Sequence, residues 1–404
     1  MKIDFGQFVN ALSDTIDLVG VDEIQHGKRV AYMALECAKD MGLDREEQLS
    51  LLRIGLLHDC GVSSTRVHKK LIDELDWADS SLHCQVGADR IRQFAPLADF
   101  ADVILCHHSH WQELKELPLS NTAKRDANLI FLLDRVDALA AMQDNPNRLA
   151  CRDTVCRKIG SLDDSYFQPY LVDVFLAAAE KEAFWIVQEP SHLMNYLQTQ
   201  QSDGQEIALH NGDLKGIGRL FAQIVDAKSP YTAEHSLGVG ALSGYLAGRC
   251  GLSDETRGKV EVAGLLHDLG KLQVPDTILE HNGNLGNESL AIMRHHSFVT
   301  HTILNRIRGL EEISLWASNH HEKLDGSGYP FKRTADELSI ESRIVMVADI
   351  YQALAQERPY RKPQSPDNIV GLLRKQADHG QLDKELVRIV ECEPAQCHEA
   401  AMMY

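Results

Sequence analysis

The sequence has no excess of positive charge. Its 404 residues include 59 Asp and Glu against 41 Lys and Arg, so the formal net charge at pH 7 is −18 and the sequence pI is near 5.5. An acidic surface of this kind repels polyanions. Bulk nucleic acid is therefore not expected as a partner, and any phosphate contact must come from a local cluster of cationic side chains.

Long apolar runs are also missing. The first residues are interrupted by Asp14 and Asp17, so neither a signal peptide nor a membrane span is predicted there. The nine cysteines are an odd number without close metal-type pairing, which is typical of reduced thiols and excludes a zinc finger. These features predict a cytoplasmic protein without membrane contact.

Strand-like alternation is short and scattered, whereas helical spacing recurs. Val30, Met33 and Cys37 follow His26 at four, seven and eleven residues, and apolar residues follow His235 at the same intervals. A histidine on such an apolar face is usually a core residue. The matching positions in two parts of the chain favour a shared function instead.

Helix stop and start signals come after both segments. Gly42 and Gly251 are predicted to end the two helices, and Asp44 and Ser253 to cap the helices that follow. Helix follows helix in both halves, so the sequence predicts an all-α fold.

One ordered set of histidines and aspartates occurs twice. The first set is His26, His58, Asp59, His83, His107, His108 and Asp134, and the second is His235, His267, Asp268, His296, His320, His321 and Asp349. In both sets 32 residues separate the first histidine from the His-Asp pair, and 24 separate the third histidine from the doublet. Imidazole and carboxylate groups are ligands of divalent metals. The chain is therefore predicted to contain a duplicated metal-binding unit.

The second set stands among further distinctive residues. Its His-Asp pair is followed by Gly270 and Lys271, its doublet opens the segment HHEKLDGSGYP at 320–330, and its last aspartate is followed by RPYR at 358–361. Residues 214–390 thereby resemble an HD-GYP domain, and residues 1–190 resemble the broader HD superfamily of metal-dependent phosphohydrolases. The resemblance implies two tandem all-α helical domains. We expect an HD-like domain without the GYP loop at 1–190, a polar linker at 191–213 and an HD-GYP domain at 214–404.

The resemblance also implies a ligand set for two divalent metals. His235, His267, Asp268 and Asp349 would hold one metal, and Asp268 would also reach a second metal held by His296, His320 and His321. Ligation by nitrogen and oxygen suits iron or manganese and does not exclude nickel, cobalt or zinc. Some family members bind a third metal through a glutamate four residues before the first histidine, and Tyr231 stands at that position here.

The family's reaction is hydrolysis of a cyclic dinucleotide to the linear 5′-phosphorylated product. Cyclic di-GMP and 3′3′-cyclic GMP-AMP are both candidate substrates. Two metals can activate a water molecule and neutralise phosphodiester oxygens. Asp268 and Lys271 are the predicted catalytic residues, and the predicted substrate contacts are Lys271, Gly328, Tyr329, Arg358 and Arg361. The cations have simpler alternatives as a helix C-terminal charge and a solvated charge run.

Three positions depart from the family pattern. Gln352 stands where an aspartate is usual, Leu382 replaces a phenylalanine and Thr300 replaces a glycine. An amide can both donate and accept a hydrogen bond. We therefore expect Gln352 to affect base recognition more than metal binding.

The first set lacks the lysine and the glycine loop, since Val62 and the segment HHSHWQ at 107–112 stand in their places. A regulatory domain, a second phosphohydrolase with its own metal and a structural duplicate are the three alternatives. One hypothesis is 5′-nucleotidase activity on the linear product of the second domain.

Other functions for the whole chain are a cyclic dinucleotide receptor without turnover and a mononucleotide phosphohydrolase. A homodimer is an expected assembly, and a diguanylate cyclase or another signalling protein is an expected partner.

Overall fold

The computed structural model of the protein describes residues 1–18, 25–62, 80–143, 145, 147–162, 164–200, 205–228, 233–279, 281, 283, 285–357 and 362–403. The chain forms two compact units, which we call the N-terminal domain (Phe5–Gln205) and the C-terminal domain (Met1–Asp4 with Glu206–Tyr404). Almost all of the secondary structure is helical, so the predicted all-α fold is confirmed. No helix within the described ranges has the length and apolar character that a membrane crossing requires.

The described part of the N-terminal domain contains α-helices and a short 3-10 helix at Ala95–Phe100. Its helices are α1 (Phe5–Asp17), α2 (His26–Asp40), α3 (Arg45–Leu57), α4 (Ser80–Arg92), α5 (Ala101–Cys106), α6 (Trp111–Leu114), α7 (Asn121–Ala141), α8 (Arg148–Gly160), α9 (Pro169–Ala179), α10 (Glu182–Ile186) and α11 (Pro190–Gln200). Helix α2 packs against α3 and α7, and α5 packs against α4 and α7. This packing brings the predicted ligand positions to one place.

The C-terminal domain begins with strand β1 (Lys2–Asp4), which pairs antiparallel with β2 (Glu206–Ala208). Its helices are α12 (Asn211–Lys228), α13 (Ala233–Arg249), α14 (Asp254–Leu266), α15 (Asp276–Leu279), α16 (Asn287–Leu304), α17 (Glu311–Ser318), α18 (Ile340–Ala355), α19 (Pro366–Asp378), α20 (Lys384–Cys392) and α21 (Pro394–Ala401). Short 3-10 helices lie at Leu269–Gln273 and Ala335–Glu337. Helix α13 packs against α14 and α18, and α16 packs against Leu269–Gln273.

The helix ends form where the sequence predicts them. Gly42 and Gly251 have φ values of +70° and +73°, a left-handed conformation that glycine adopts without a Cβ penalty. The Asp44 side chain accepts a hydrogen bond from the backbone N–H of Glu47, and the Glu47 side chain accepts one from the backbone N–H of Asp44. Ser253 caps α14 through a backbone N–H of its first turn.

The segment predicted as a linker at 191–213 differs from that expectation. Helix α11 occupies most of its first half, and Leu193 and Leu197 are buried four residues apart on one face of this helix. Helix α11 packs on α2, so the N-terminal domain extends to Gln205. The segment has a polar composition because the other side chains of α11 are exposed or partly exposed, and this composition predicted a linker.

Two candidate metal centres

The seven predicted ligands of the C-terminal domain lie together. Within the described part of the chain, their donor atoms form overlapping groups in which all atoms lie within 4.8 Å of one another: His235 with His267 and Asp268, His267 with His320 and Asp349, and His296 with His320 and His321. All seven are buried except His321, which is partly exposed.

Five helical segments supply these side chains. His235 lies on α13, the pair His267-Asp268 follows α14, His296 lies on α16, the doublet follows α17 and Asp349 lies on α18. A Cβ at Gly270 would lie 2.0 Å from the carbonyl oxygen of His296, far below contact distance. Glycine at this position therefore lets the end of the His-Asp segment approach α16.

The tautomers of the histidines follow from their hydrogen bonds. The Nδ1 atoms donate to oxygen acceptors: His235 to Gln352 Oε1 at 2.5 Å, His267 to the Gly264 carbonyl at 2.7 Å, His296 to the Met293 carbonyl at 2.5 Å and His320 to the Ala317 carbonyl at 2.7 Å. In each neutral ring the Nε2 atom then carries a lone pair.

These Nε2 lone pairs converge. The Nε2 atoms of His235 and His267 are 3.2 Å apart, and those of His296 and His320 are 3.1 Å apart. Two lone pairs at this distance repel unless a proton or a cation lies between them. Nδ1 donation to an oxygen is also how metal-binding histidines are oriented. The arrangement therefore fits divalent metal ions.

Asp268 lies between the two histidine pairs. Its Oδ2 is 3.2 Å from His267 Nε2, and its Oδ1 is 3.5 Å from His296 Nε2. Oδ1 is buried and accepts no hydrogen bond from any described residue. A buried carboxylate oxygen without a donor carries a large desolvation cost, which a metal ion would offset. The position of Asp268 fits a ligand shared by two metals.

The electrostatic environment of the cluster favours the protonation states that metal ligands need, namely neutral histidine and ionised aspartate. Burial lowers the pKa of His296 to about 3 and that of His321 to about 4, so both rings are neutral. Burial opposes ionisation of Asp268, but the charges of His267 and Lys271 hold its pKa well below the usual range. Burial likewise opposes protonation of His267, yet Asp268 raises its pKa. The carboxylate of Asp268 thus stabilises positive charge beside His267 Nε2, where a metal ion would bind.

The N-terminal domain builds a second cluster of the same kind. Its donor atoms form two groups, again within 4.8 Å: His26 with His58 and Asp59, and His83 with Cys84, His107 and His108. Asp134 joins the first group, because its Oδ1 is 3.3 Å from His26 Nε2. A Cβ at Gly61 would lie 1.9 Å from the His83 carbonyl oxygen, so Gly61 has the role of Gly270.

The N-terminal cluster differs from its counterpart in two neighbouring groups. Cys84 supplies a thiol that the spacing of histidines and aspartates did not reveal. Burial raises the pKa of this thiol, but the charge of His107 and hydrogen bonds to His107 and His83 outweigh burial and lower it to about 6. Arg135, which is buried, donates to Asp134 Oδ2 at 2.8 Å and places a cation beside a ligand carboxylate.

The expected role of Gln352 in base recognition is wrong. Gln352 is fully buried, and its Oε1 accepts the Nδ1–H of His235. One helical turn separates it from Asp349, so both side chains reach the same ligand region. In the N-terminal domain Asp137 occupies the matching place, 2.7 Å from His26 Nδ1, with Arg29 as its ion partner.

The loop that contains Gly328, Tyr329 and Pro330, which we call the GYP loop, lies close to the C-terminal cluster. The buried carboxylate of Glu322 accepts the backbone N–H groups of Phe331 at 2.6 Å and Arg333 at 3.1 Å. The ring of Tyr329 lies 4.8 Å from that of His321. The loop therefore covers the doublet side of the cluster.

The predicted substrate contacts are only partly within the described residues. Lys271 places Nζ 2.5 Å from Asp268 Oδ2, and Gly328 and Tyr329 lie in the loop beside His321. Arg358, Arg361 and Tyr231 lie outside the described residues.

One cation at the C-terminal site was missed by the sequence reasoning. The exposed Arg294 holds its guanidinium carbon 5.1 Å from the centre of the Tyr329 ring. Its place two residues before the ligand His296 was the available signal. Arg294 is thus a local cation beside the loop, of the kind that the acidic composition requires for phosphate contact.

Comparisons with known proteins assign both halves to one kind of domain. Residues 219–386 and residues 24–142 each match a family described as HD domain. The 3′3′-cGAMP-specific phosphodiesterase 1 of Vibrio cholerae is 36% identical over 396 residues, which are 96% of this chain and 91% of that protein. A cyclic di-GMP phosphodiesterase of Thermotoga maritima is 39% identical over 134 residues, 33% of this chain and 36% of that protein.

A solved structure shares the fold of the whole chain. The crystal structure of a cyclic GMP-AMP specific phosphodiesterase of V. cholerae superposes with a TM-score of 0.63 at 22% identity. The superposition covers 99% of this chain and 97% of that one, so the order of two helical domains is common to both.

Proposed function

The chain belongs to the HD-domain family, with a C-terminal domain of the HD-GYP type, and on this premise we propose that it is a metal-dependent cyclic dinucleotide phosphodiesterase. It opens cyclic di-GMP or 3′3′-cyclic GMP-AMP to the linear 5′-phosphorylated dinucleotide. The observation that carries the proposal is the convergence of four histidine Nε2 lone pairs on the buried Asp268, beside a loop that bears Tyr329.

The C-terminal residues that would hold the metals are those predicted from the sequence. His235, His267, Asp268 and Asp349 form one half of the site, and Asp268, His296, His320 and His321 form the other. We propose two ions, with iron or manganese preferred because the donors are nitrogen and oxygen. When bound, the ions supply Lewis-acid stabilisation of phosphodiester oxygens and activation of a water molecule.

Cationic and aromatic side chains position the substrate. The ammonium of Lys271, about one fifth exposed, adjoins Asp268 and can donate to a non-bridging phosphate oxygen. The guanidinium of Arg294 lies over Tyr329 and can contact the second phosphate of the ring. Together they provide the local positive charge that an overall charge of −18 otherwise opposes.

We propose 3′3′-cyclic GMP-AMP as the preferred ring. The V. cholerae relative that is named for this substrate matches both domains of the chain, whereas the T. maritima relative that is named for cyclic di-GMP matches about one third of it. A cytoplasmic location, a homodimer and a signalling protein as partner stay predictions.

The test is a time course with iron- or manganese-loaded protein and each cyclic dinucleotide, with products resolved by chromatography. The double variant His267→Ala with Asp268→Ala should lose the C-terminal metals and ring opening, because the shared carboxylate and one imidazole are gone. Ring opening at the wild-type rate in this variant would exclude the C-terminal cluster as the active site. Tight binding of either ring without any product would favour the receptor alternative.

A further inference from the structure

The N-terminal cluster contains a sulfur donor among its imidazoles. Cys84 directly follows His83 on α4, and its Sγ lies 3.7 Å from His83 Nε2. The donor atoms of His83, Cys84, His107 and His108 all lie within 4.8 Å of one another. Cys84 is only 2% exposed, so its thiol faces the cluster and not the solvent.

Hydrogen bonds in this cluster independently indicate a cation. His107 Nδ1 donates to the carbonyl oxygen of Ile104 at 2.6 Å, so Nε2 of the neutral ring carries the lone pair. That lone pair faces His83 Nε2 at 3.2 Å. An ion between the two rings could bind both Nε2 atoms.

The C-terminal domain has a hydroxyl in the corresponding place. Ser297 follows His296, and its Oγ lies 3.2 Å from His296 Nε2. Thiolates bind zinc and other soft ions strongly, whereas nitrogen and oxygen donors suit iron and manganese. The two domains thus share the same arrangement of histidines but differ in the neighbouring donor atom. This atom is a soft sulfur in the N-terminal domain and a hard oxygen in the C-terminal domain.

We propose that the N-terminal domain holds a zinc-type ion through His83, His107, His108 and the thiolate of Cys84, so that the chain carries two metal centres of different selectivity. On binding, the S–H bond of Cys84 breaks, a sulfur–metal bond forms and the proton passes to solvent. This inference concerns metal selectivity and does not depend on the substrate proposed above.

Cobalt(II) added to the metal-free full-length protein is a direct probe. A thiolate ligand gives an intense sulfur-to-cobalt charge-transfer absorption in the near ultraviolet, which imidazole and carboxylate ligands do not give. We expect this band in the wild type and its loss in Cys84→Ser. The matched control is Cys151→Ser, a buried cysteine of the same domain outside the cluster, which should keep the band. A band of wild-type strength in Cys84→Ser would overturn the proposal.

A measurement on the unaltered protein covers the case in which Cys84→Ser does not fold. X-ray absorption of the zinc-loaded wild type should show a sulfur neighbour at about 2.3 Å from zinc. A shell of nitrogen and oxygen alone, at about 2.0–2.1 Å, would overturn the proposal. A circular dichroism melt shows whether Cys84→Ser folds. If it does, its zinc affinity at the N-terminal site should fall at least about 10-fold, because even the loss of a residue that only hydrogen-bonds to a ligand has an effect of this size.

Discussion

At the scale of single residues, the positive charge beside the proposed metal ligands is expected to control the rate of ring opening by the C-terminal domain. Lys271 Nζ is 2.5 Å from Asp268 Oδ2, yet Lys271 is not itself a member of the ligand groups. We therefore expect Lys271→Ala to retain the metals but to slow ring opening by about 10²-fold or more, the usual cost of one preorganised charge. Metal content by mass spectrometry and product formation by chromatography separate the two effects.

The matched control for this lysine is Lys215→Ala, which removes a surface pair with Glu261 on α12 and α14. Surface pairs contribute little, so this variant should open the ring at the wild-type rate. If Lys271→Ala is as fast as this control, Lys271 has no part in the reaction. If it is slow only because the metals are lost, its role is to support Asp268.

The clustering of the proposed ligand side chains could be predicted because their long spacings occur twice. Cys84 could not, since neighbouring residues on a helix point in different directions and are not expected to reach one target. Gln352 was misassigned for a related reason. The donor and acceptor atoms of its amide suggested contact with a base, and only the packing of α18 against α13 places Gln352 behind His235.

At the scale of elements, the close approach of the His-Asp segment to α16 depends on the absence of one side chain. Gly270→Ala would place a Cβ 2.0 Å from the His296 carbonyl oxygen, a backbone atom that cannot rotate away. We expect a loss of stability of about 3 kcal/mol from this overpacking. Weaker metal binding should accompany it, because the shift separates Asp268 from His296. Chemical denaturation and metal titration measure the two effects.

Gly371→Ala is the matched control for the same substitution. Gly371 lies inside α19, and a Cβ there would meet nothing within 4 Å. Alanine should stabilise this helix by about 1 kcal/mol. Equal stability changes in the two variants would show that the contact at Gly270 is not restrictive.

The GYP loop depends on one buried carboxylate. Glu322→Ala would leave the backbone N–H groups of Phe331 and Arg333 without their acceptor, at about 1–3 kcal/mol each. We expect faster hydrogen exchange across residues 327–333 and slower ring opening, with the metals retained because Glu322 is not a ligand. Glu322→Gln, which keeps one acceptor, should lie between the wild type and alanine.

Asp325→Ala is the control for Glu322→Ala. It tests whether the loss of another carboxylate from the loop has the same effect on hydrogen exchange. Asp325 is exposed and accepts from the backbone of Ser327 at 2.9 Å, where water can replace it. Exchange across 327–333 should change little in this variant. Unchanged exchange in Glu322→Ala as well would mean that the loop is held by other contacts.

Elements were predicted well where local signals agreed with packing. The glycine ends at Gly42 and Gly251 and the cap at Asp44 are local chemistry and appear where expected. Helix α11 was missed because its polar composition outweighed the four-residue spacing of Leu193 and Leu197. Packing on α2, which no local pattern shows, stabilises that helix.

At the scale of the whole molecule, the same arrangement of histidine and aspartate side chains occurs in both domains, but the residues next to it differ. The C-terminal domain has Lys271 beside Asp268 and a loop held by Glu322. In the N-terminal domain the position of Lys271 is taken by the buried Val62, and the cation beside the ligands is the buried Arg135. Two such sites in one chain suit two successive reactions better than one reaction performed twice.

The N-terminal site suits the smaller reacting group. A pocket lined by Ile16, Asp17 and Val62 reaches His58 and Asp59. Among the described residues, Val62 stands where Lys271 stands in the C-terminal domain, and the segment at 107–112 lacks the glycine loop that would enclose a cyclic diester. A terminal phosphomonoester is smaller at the reacting centre and needs less enclosure. The substrate expected here is therefore the linear 5′-phosphorylated dinucleotide that the C-terminal domain releases.

This division of labour predicts a specific product pattern for His58→Ala combined with Asp59→Ala. Ring opening should proceed at the wild-type rate, while the linear 5′-phosphorylated product accumulates instead of losing its phosphate, because the donor group of His26, His58, Asp59 and Asp134 has lost one imidazole and one carboxylate. Chromatography of a single time course measures both steps. A circular dichroism melt shows whether the variant is folded, and Arg152→Ala, which removes an exposed pair with Asp153, is the control for substitution in this domain. Removal of the phosphate at the wild-type rate by the folded double variant would contradict catalysis by the N-terminal site and leave it a regulatory or structural role.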